Sequence, residues 1–177
     1  MTDTPADGSS PTTPEELFRR LRALEISFDT VEHPPVFTVE EAKALRGELE
    51  GCHTKNLFLR DKKGAMWLMV CSEDRPVDLK DLALRLGGKR LSFGSAERLM
   101  KYLGVIPGAV TPFAIINDTT RAVRVALDRS ILGQEPLNFH PLDNAMTTSI
   151  EADDFVRFLE AEHHPPTLVN LDSRLSV

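Results

Sequence analysis

Three stretches of the sequence place polar side chains where an apolar run meets a turn. Lys55 and Asn56 precede an apolar run, so a cation and an amide stand at the entrance of a predicted strand. A loop rich in glycine and proline spans residues 104–112, and main-chain amides in such a loop can face an anion or a carbonyl oxygen. His140 lies in the third stretch, residues 138–148. Together these groups could stabilise developing negative charge and move a proton.

Each stretch also has a purely structural interpretation. Lys55 could be a solvated residue at a sheet edge, and residues 104–112 an ordinary connection. A lone histidine such as His140 is more often a satisfied core residue than a catalyst. The familiar phosphate-loop, dinucleotide-binding, nucleophile-elbow and zinc-helix motifs are absent from the sequence. The spacing of the cysteines and histidines matches no recognised metal-binding set, so we predict neither a metal nor a cofactor.

The length and composition of the chain indicate a single acidic domain. The chain has 177 residues, a formal charge of −6 and 41% hydrophobic residues, which is enough for a single core. The sequence shows no apolar run long enough for a membrane helix and no secretory signal at its start. Its two cysteines are too few for a disulfide framework. We therefore predict a cytoplasmic protein with free thiols and no membrane partner.

The charge is unevenly distributed along the chain. Residues 43–101 contain thirteen Lys and Arg against eight Asp and Glu, a net charge of +5, so the remainder carries −11. Such a middle segment could bind a polyanion, although runs of charge are usually solvated surface. The overall acidity therefore does not exclude a nucleic-acid partner.

Periodicity and capping residues predict interspersed helices and strands. The predicted helices span residues 14–25, 38–45, 78–86, 95–104 and a segment that begins near 152. The predicted strands span residues 28–32, 55–60, 66–71, 113–116, 123–128, 137–140 and 147–150. Because several strands follow one another through short turns, a mixed α/β (α+β) fold with helices packed around a mixed sheet fits better than a purely parallel one. We assign a single domain to residues 13–164, an N-terminal tail to 1–12 and a C-terminal tail to 165–177.

Four ordered blocks of the sequence carry a resemblance to a known family. They are EHPPVFTVEEA, TKNLFLRDKKG, LGVIPGAVTPFAIIND and NFHPLDNAMTTSI. Their order and spacing resemble the YbaK/ProRS editing-domain superfamily, and within it the freestanding prolyl-tRNA editing proteins of the ProX type. The resemblance covers residues 14–163, which is most of the chain.

The resemblance implies a single YbaK-like domain with a barrel-like mixed sheet surrounded by helices. It also implies trans-editing, the hydrolysis of the ester that joins alanine to the 3′ ribose of a mischarged proline tRNA. Lys55 and Asn56 would then be catalytic. Substrate binding would involve residues of three segments, namely His33, Pro34, Val36, Phe37 and Thr38, then Gly108, Ala109, Val110, Thr111 and Pro112, and finally His140.

Several points stay open at this stage. The activity could instead release cysteine from proline tRNA, or the fold could be a non-catalytic module that binds tRNA or the synthetase. The general base could be a ribose hydroxyl of the substrate or His140, which could equally be a pocket wall. The expected partner is mischarged proline tRNA, bound through its acceptor stem and 3′ end, with prolyl-tRNA synthetase as a further candidate. The predicted phosphate contacts are Arg85, Lys89, Arg90, Arg98 and Lys101.

Overall fold

The architecture was analysed in a computed structural model. It describes residues 5, 7–35, 38, 40–41 and 49–172. Within these residues, no helix has the length and apolar character needed to cross a membrane. The predicted helix at residues 38–45 lies mostly outside the described residues, although Thr38 Oγ1 accepts a hydrogen bond from the Glu41 amide in the manner of a helix cap.

Helices and strands alternate irregularly along the chain. The α-helices are α1 (Pro14–Ala23), α2 (Leu79–Arg85), α3 (Ala96–Leu103) and α4 (Ala152–Ala161). Two 3-10 helices span Pro112–Asn117 and Arg129–Gly133. The strands are β1 (Phe28–Glu32), β2 (Cys52–Asp61), β3 (Met66–Ser72), β4 (Leu91–Phe93), β5 (Val123–Asp128), β6 (Leu137–Phe139), β7 (Met146–Ile150) and β8 (Thr167–Val169).

One mixed sheet joins all eight strands. Its order is β1-β7-β6-β2-β3-β5-β8, and β4 pairs with β2 beside this path. β2 is antiparallel to β3 and β4 but parallel to β6, while β5 is parallel to both β3 and β8. The predicted mixed sheet with surrounding helices is confirmed. Within the described residues the sheet stays open, because its end strands β1 and β8 do not pair with each other.

The sheet has a buried cluster on each face, and β3 shows how the sequence divides them. Leu68 and Val70 point to the larger cluster, whereas Trp67, Met69 and Cys71 point to the smaller one. This alternation follows from the two-residue period of a strand. Because both faces are covered, β3 is an almost continuous apolar run. We call the two sides the large-core face and the small-core face.

Different helices cover the two faces. The large-core face packs against α1, α3, α4 and the first 3-10 helix through side chains that include Leu17, Leu99, Phe113 and Phe155. The small-core face packs against α2 through Leu82 and Ala83. Caps define where these helices begin, since the side chains of Thr13, Asp78 and Ser95 each accept a main-chain N–H of the first turn.

Two predicted segments differ from the structure. Residues 113–116 form part of a 3-10 helix rather than a strand, because Thr111 caps the turn and Pro112 occupies its first position. An apolar run this short has no period that separates the two conformations. The segment assigned to the C-terminal tail contains β8, which pairs with β5. The boundary at residue 164 is therefore three residues short of the last strand.

Candidate active site

An open stretch on one edge of β2 brings the predicted site segments together. Along this edge β6 pairs with Cys52 and His53, and β4 pairs with residues 59–61. Within the described part of the chain, no strand pairs with this edge at residues 54–58. A cavity of about 170 Å³ opens there. Its lining comes from β2, the end of β4, α3 and the Gly108 loop, namely Asn56, Leu57, Phe58, Phe93, Gly94, Ala96, Leu99, Pro107, Gly108 and Val110.

Lys55 stands on the small-core face of β2. Its partner in the antiparallel register is Cys71, a buried member of the small-core cluster, and directly paired residues share a face. Burial raises the pKa of Cys71 to about 11, and the positive charge of Lys55 opposes part of that rise. Cys71 is therefore a protonated core thiol at neutral pH, and Lys55 is a partly buried cation beside it.

Asn56 points to the opposite face and contacts the glycine-rich loop. Its register partner is Val70 of the large-core cluster. Asn56 Nδ2 donates a hydrogen bond of 3.2 Å to the carbonyl oxygen of Val110. Asn56 Oδ1 is buried and has no partner among the described residues. A buried acceptor without a donor costs about 1–3 kcal/mol, so this oxygen favours a bound donor.

The loop itself has a fixed main chain. Gly108 has φ of +92°, a conformation that favours glycine, and the Ala109 amide donates to Ile106 O at 3.0 Å to close the turn. The Ala109 amide is thus engaged within the loop. Thr111 Oγ1 accepts from the Phe113 amide and begins the 3-10 helix with Pro112. The loop is therefore anchored at both ends, with the Asn56 contact between them.

His140 lies directly after β6, in line with Lys55. The parallel register pairs Cys52 with Leu137 and His53 with Asn138. The pairing stops there and β6 ends at Phe139, but the two-residue alternation gives His140 and Lys55 the same face of the sheet. Two side-chain hydrogen bonds to main-chain carbonyls also link β2 and the segment before it to β6. Thr54 Oγ1 donates to Asn138 O at 2.8 Å, and the side-chain amide of Asn138 donates to Glu50 O.

His33 and His140 form a small polar cluster on the small-core face. Their ring centroids are 6.0 Å apart in an edge-on arrangement. His33 Nδ1 lies 2.9 Å from Pro34 O, which can only accept, so Nδ1 donates there, and Nε2 lies 2.8 Å from Thr147 Oγ1. By the same reasoning His140 Nδ1 donates to Met146 O at 2.8 Å. The remaining nitrogen of His140, Nε2, then carries a lone pair when the ring is neutral.

The surroundings of His140 favour that neutral ring. Burial lowers the pKa of His140 below its usual 6.5, and the nearby His33 lowers it further. The hydrogen bond to Met146 O and the charge of Asp143 act in the opposite direction without reversing the shift. His140 is therefore a neutral imidazole at pH 7, able to accept a proton or a hydrogen bond at Nε2.

The sheet thus divides the predicted site residues between its faces. Lys55, His33 and His140 belong to the small-core face, while Asn56 and the loop at residues 108–112 belong to the large-core face. Asn56, Gly108 and Val110 line the cavity at the open edge of β2, whereas Lys55, His33 and His140 are not among its lining residues. Of the other residues predicted to bind the substrate, Pro34 and Thr38 are exposed. Val36 and Phe37 lie outside the described residues.

The side chains predicted to contact phosphates differ in how exposed they are. Lys89, Arg90 and Lys101 are exposed, and Arg98 is partly exposed. Arg85 is engaged by its own domain, since its side chain is only 9% exposed, pairs with Asp81 at 2.8 Å and donates to Asn170 O. Arg85 therefore ties α2 to the segment after β8 and has little surface left for a phosphate.

Sequence reasoning did not single out Phe93, and it included Thr147 in the stretch 138–148 without assigning it a role. Thr147 orients the ring of His33, yet in the sequence it is one polar residue of an alternating strand. Phe93 lines the cavity and is 63% exposed, whereas a phenylalanine before Gly94 and Ser95 reads as an ordinary core residue. Only tertiary pairing identifies these two side chains.

The fold and the polar edge of β2 define the class of protein. The family model described as the aminoacyl-tRNA editing domain matches residues 33–158, a range that includes every predicted site residue. The chain belongs to this family. It is by class an enzyme that hydrolyses aminoacyl-tRNA, as the sequence resemblance implied.

Individual relatives are more specific. The chain is 38% identical over 148 residues to the prolyl-tRNA editing protein ProX of Acetoanaerobium sticklandii, covering 83% of this chain and 90% of the relative. It is 40% identical over 160 residues to the prolyl-tRNA synthetase associated domain-containing protein 1 of Danio rerio, covering 89% of this chain and 87% of the relative. Both alignments extend over nearly the whole domain.

A solved structure supports the fold. A crystal structure described as a candidate trans-editing enzyme for prolyl-tRNA synthetase superposes with a TM-score of 0.68 at 18% identity, covering 91% of this chain and 98% of that one. At this identity the similarity concerns the fold alone. It agrees with the open mixed sheet and its surrounding helices.

Proposed function

We propose that the protein edits proline tRNA in trans by hydrolysing the ester between alanine and the 3′-terminal ribose. The observation that carries this proposal is the arrangement at the open edge of β2, where Lys55 adjoins Asn56, Asn56 holds the anchored loop through Val110, and His140 follows the neighbouring strand β6. The similarity to proteins named for prolyl-tRNA editing supports the choice of tRNA. The reaction belongs in the cytoplasm, where tRNA is charged and used.

An aminoacyl ester is already activated, so the residues of this site match what its hydrolysis needs. The enzyme has to bring the ester, a water molecule and a stabiliser of the developing oxyanion into register. Lys55 supplies a positive charge, either for the oxyanion or for the phosphate of the terminal nucleotide. Of the loop amides from Gly108 to Thr111, that of Ala109 bonds within the loop, so Gly108, Val110 and Thr111 are the remaining candidate donors. Asn56 Oδ1 offers an acceptor for a donor of the substrate.

Two groups can accept the proton of the attacking water. One is the ribose hydroxyl next to the ester, which belongs to the substrate. The other is His140, whose Nε2 carries a lone pair at neutral pH. In the first case His140 is a wall of the pocket, and in the second it is a base. The two cases differ in how the rate depends on pH.

If His140 is the base, kcat/KM should decrease as the pH falls through the pKa of His140, because protonation removes the accepting lone pair. Burial lowers this pKa from its usual 6.5, so the decrease should lie at a lower pH than for an ordinary histidine. His140→Gln should lower kcat and remove this acidic limb. The matched control is His163→Asn, because His163 is exposed and Asn tolerates its φ of +62°. An acidic limb that is unchanged in His140→Gln would assign the titration to another group and leave His140 as a wall.

Selectivity between amino acids follows from size. A synthetase pocket built for proline gains only about 1–3 kcal/mol from one extra methylene, so it cannot strongly reject alanine. A second pocket that fits alanine excludes the larger proline by steric clash. His33 belongs to the histidine cluster, and the segment from His33 to Thr38 is the one in which we expect size discrimination to reside.

The proposal is tested by a deacylation assay on proline tRNA charged separately with alanine, cysteine, serine or proline. We expect alanine to be released faster than cysteine and serine by at least tenfold, with proline retained. Preferential release of cysteine would replace the proposal with a cysteine-specific deacylase. Failure to release any amino acid, combined with tight tRNA binding, would identify a non-catalytic binding module.

The tRNA should bind through the basic middle of the chain. Lys89, Arg90, Arg98 and Lys101 retain exposed cations that suit phosphates, and such contacts weaken as salt increases. The acceptor stem and 3′ end are the parts of tRNA that must reach the cavity. Prolyl-tRNA synthetase is a second candidate partner, because it would hand over the mischarged product.

A further inference from the structure

Phe93 is an exposed aromatic side chain at the mouth of the cavity. Among the described residues five large apolar side chains are conspicuously exposed, and Phe93 is the aromatic one, at 63%. The others are Val31, Leu84, Ile106 and Leu168. A single exposed apolar side chain needs no functional explanation. Phe93 needs one because it lines the cavity beside Asn56 and the Gly108 loop.

The main chain that carries Phe93 is rigidly held. Phe93 pairs with Leu59 in the antiparallel register between β4 and β2, and the Gly94 amide donates to Phe58 O at 2.9 Å. A Cβ at Gly94 would lie only 2.4 Å from the Phe58 ring, so the two strands approach as closely as glycine allows. An aromatic ring on such a fixed backbone loses little conformational freedom when it stacks on a ligand.

The ring also faces the same side of the sheet as Lys55. Leu59 and Phe93 are direct partners and share the small-core face, and Lys55 and Leu57 precede Leu59 on that face. Four residues of strand separate Lys55 from the Phe93 position, which is about 13 Å. A ligand whose reacting end lies at Lys55 would therefore extend along β2 and reach Phe93 with its next part.

The positive charge close to Phe93 in the chain indicates which kind of ligand could reach the ring. Lys89 and Arg90 are exposed and immediately precede β4, which begins at Leu91. α3 begins at Ala96, and its Arg98 and Lys101 line a neighbouring depression with Ser95, Glu97 and Tyr102. An exposed aromatic ring with exposed cations close to it in the chain suits unpaired nucleotides, because bases can stack on a ring while their phosphates contact cations.

We propose that Phe93 is a stacking platform for one nucleobase of the single-stranded 3′ end of the tRNA. This inference rests on the proposed function and adds a positioning residue to it. Stacking at Phe93 would hold the chain of nucleotides in register, so that the ester lies at the open edge of β2. A single exposed ring accommodates one base rather than a run of bases.

The test measures binding of two uncharged proline tRNA transcripts, one complete and one lacking its three 3′-terminal nucleotides. Dissociation constants are determined at one fixed salt concentration for the wild type, Phe93→Ala and Phe93→Trp. Phe93→Ala should weaken binding of the complete transcript by roughly 5- to 150-fold, the range measured for a stacked base. It should change binding of the truncated transcript by less than about twofold, and Phe93→Trp should bind the complete transcript like the wild type.

Two further variants separate stacking from other effects. The pair Lys89→Ala and Arg90→Ala should weaken both transcripts by similar factors, because phosphate contacts do not depend on the 3′ bases. Leu168→Ala removes another exposed apolar side chain, on the far strand β8, and should change neither affinity. In the deacylation assay Phe93→Ala should raise KM with little change in kcat, because the ring does not contact the ester.

An equal loss on both transcripts, or no loss on the complete one, would overturn the proposal. Loss of synthetase binding in Phe93→Ala with unchanged tRNA affinity would also overturn it and assign the ring to protein docking. The binding experiment uses uncharged tRNA, so it does not depend on turnover. If the protein released no amino acid at all, the proposed deacylase function would be wrong, but the binding measurements would still test stacking at Phe93.

Discussion

Replacing Lys55 by alanine should lower kcat/KM for alanyl-tRNA by roughly 10²- to 10³-fold, the usual cost of removing one group that stabilises a developing oxyanion. Lys55 is the cation on the small-core face of β2, in line with His140 and beside the open edge. The measurement is the deacylation rate with alanine-charged proline tRNA. The melting temperature of the variant should stay close to that of the wild type, since Lys55 forms no ion pair within the described residues.

Two matched variants make the Lys55 result specific. Lys62→Ala removes an exposed lysine from the turn between β2 and β3 and should leave the rate unchanged. Lys55→Arg keeps the charge with a different shape and should retain more activity than Lys55→Ala. Turnover by Lys55→Ala within a factor of two of the wild type would remove Lys55 from the chemistry.

Asn56→Asp should lower kcat by about 100-fold, the cost of a misplacement of about 1 Å in an active site. The substitution keeps the shape of the side chain but replaces the Nδ2 donor with an oxygen that faces Val110 O. Two acceptors in contact repel each other, so the loop at residues 108–111 should shift. Asn56→Ala only deletes the anchor and should lose less activity, together with about 0.5–1.5 kcal/mol of stability.

Asn117→Ala is the control for this prediction. Asn117 Nδ2 also donates to a main-chain carbonyl, that of Leu103, and Asn117 is buried. Its loss should lower the free energy of unfolding without a comparable decrease in kcat, because this bond holds the C-terminal end of α3 and not residues 108–111. Equal losses of kcat in Asn117→Ala and Asn56→Asp would indicate general loosening of the fold rather than displacement of the loop.

Much of the local structure could be predicted from the sequence. Threonine, aspartate and serine caps marked where α1, α2 and α3 begin, and apolar spacing marked their buried faces. The hairpin of β2 and β3 followed from two apolar runs around a short turn at Gly64. These features depend on residues close together in the chain, so they can be predicted without knowledge of the tertiary structure.

Other segments could not be assigned in this way. Residues 113–116 were predicted as a strand, but the cap at Thr111 and the proline after it decide for a 3-10 turn. β8 was missed because it is three residues long and is stabilised by pairing with β5, about forty residues earlier in the chain. A short strand gains its stability from its neighbour rather than from its own sequence.

The site shows the same division at a finer level. Lys55 and Asn56 were predicted as one catalytic pair, yet neighbouring residues of a strand point to opposite faces. Lys55 therefore groups with His140 and His33, and Asn56 groups with the loop at Val110. The alternation itself is a property of the sequence. Which residues lie near Lys55 or Asn56 on each face depends on the order of the strands in the sheet.

By itself the sequence determined the family, the mixed fold class and the basic middle segment, and it supplied most of the candidate site residues. These are properties of residue type and local order. Only the tertiary structure decided that β6 and β4 leave an open stretch on β2, that His33 meets His140 across more than one hundred residues, and that Phe93 stands exposed at the cavity. Such contacts arise when distant strands pair to bury their apolar faces, and no local pattern specifies which distant strand will be the neighbour.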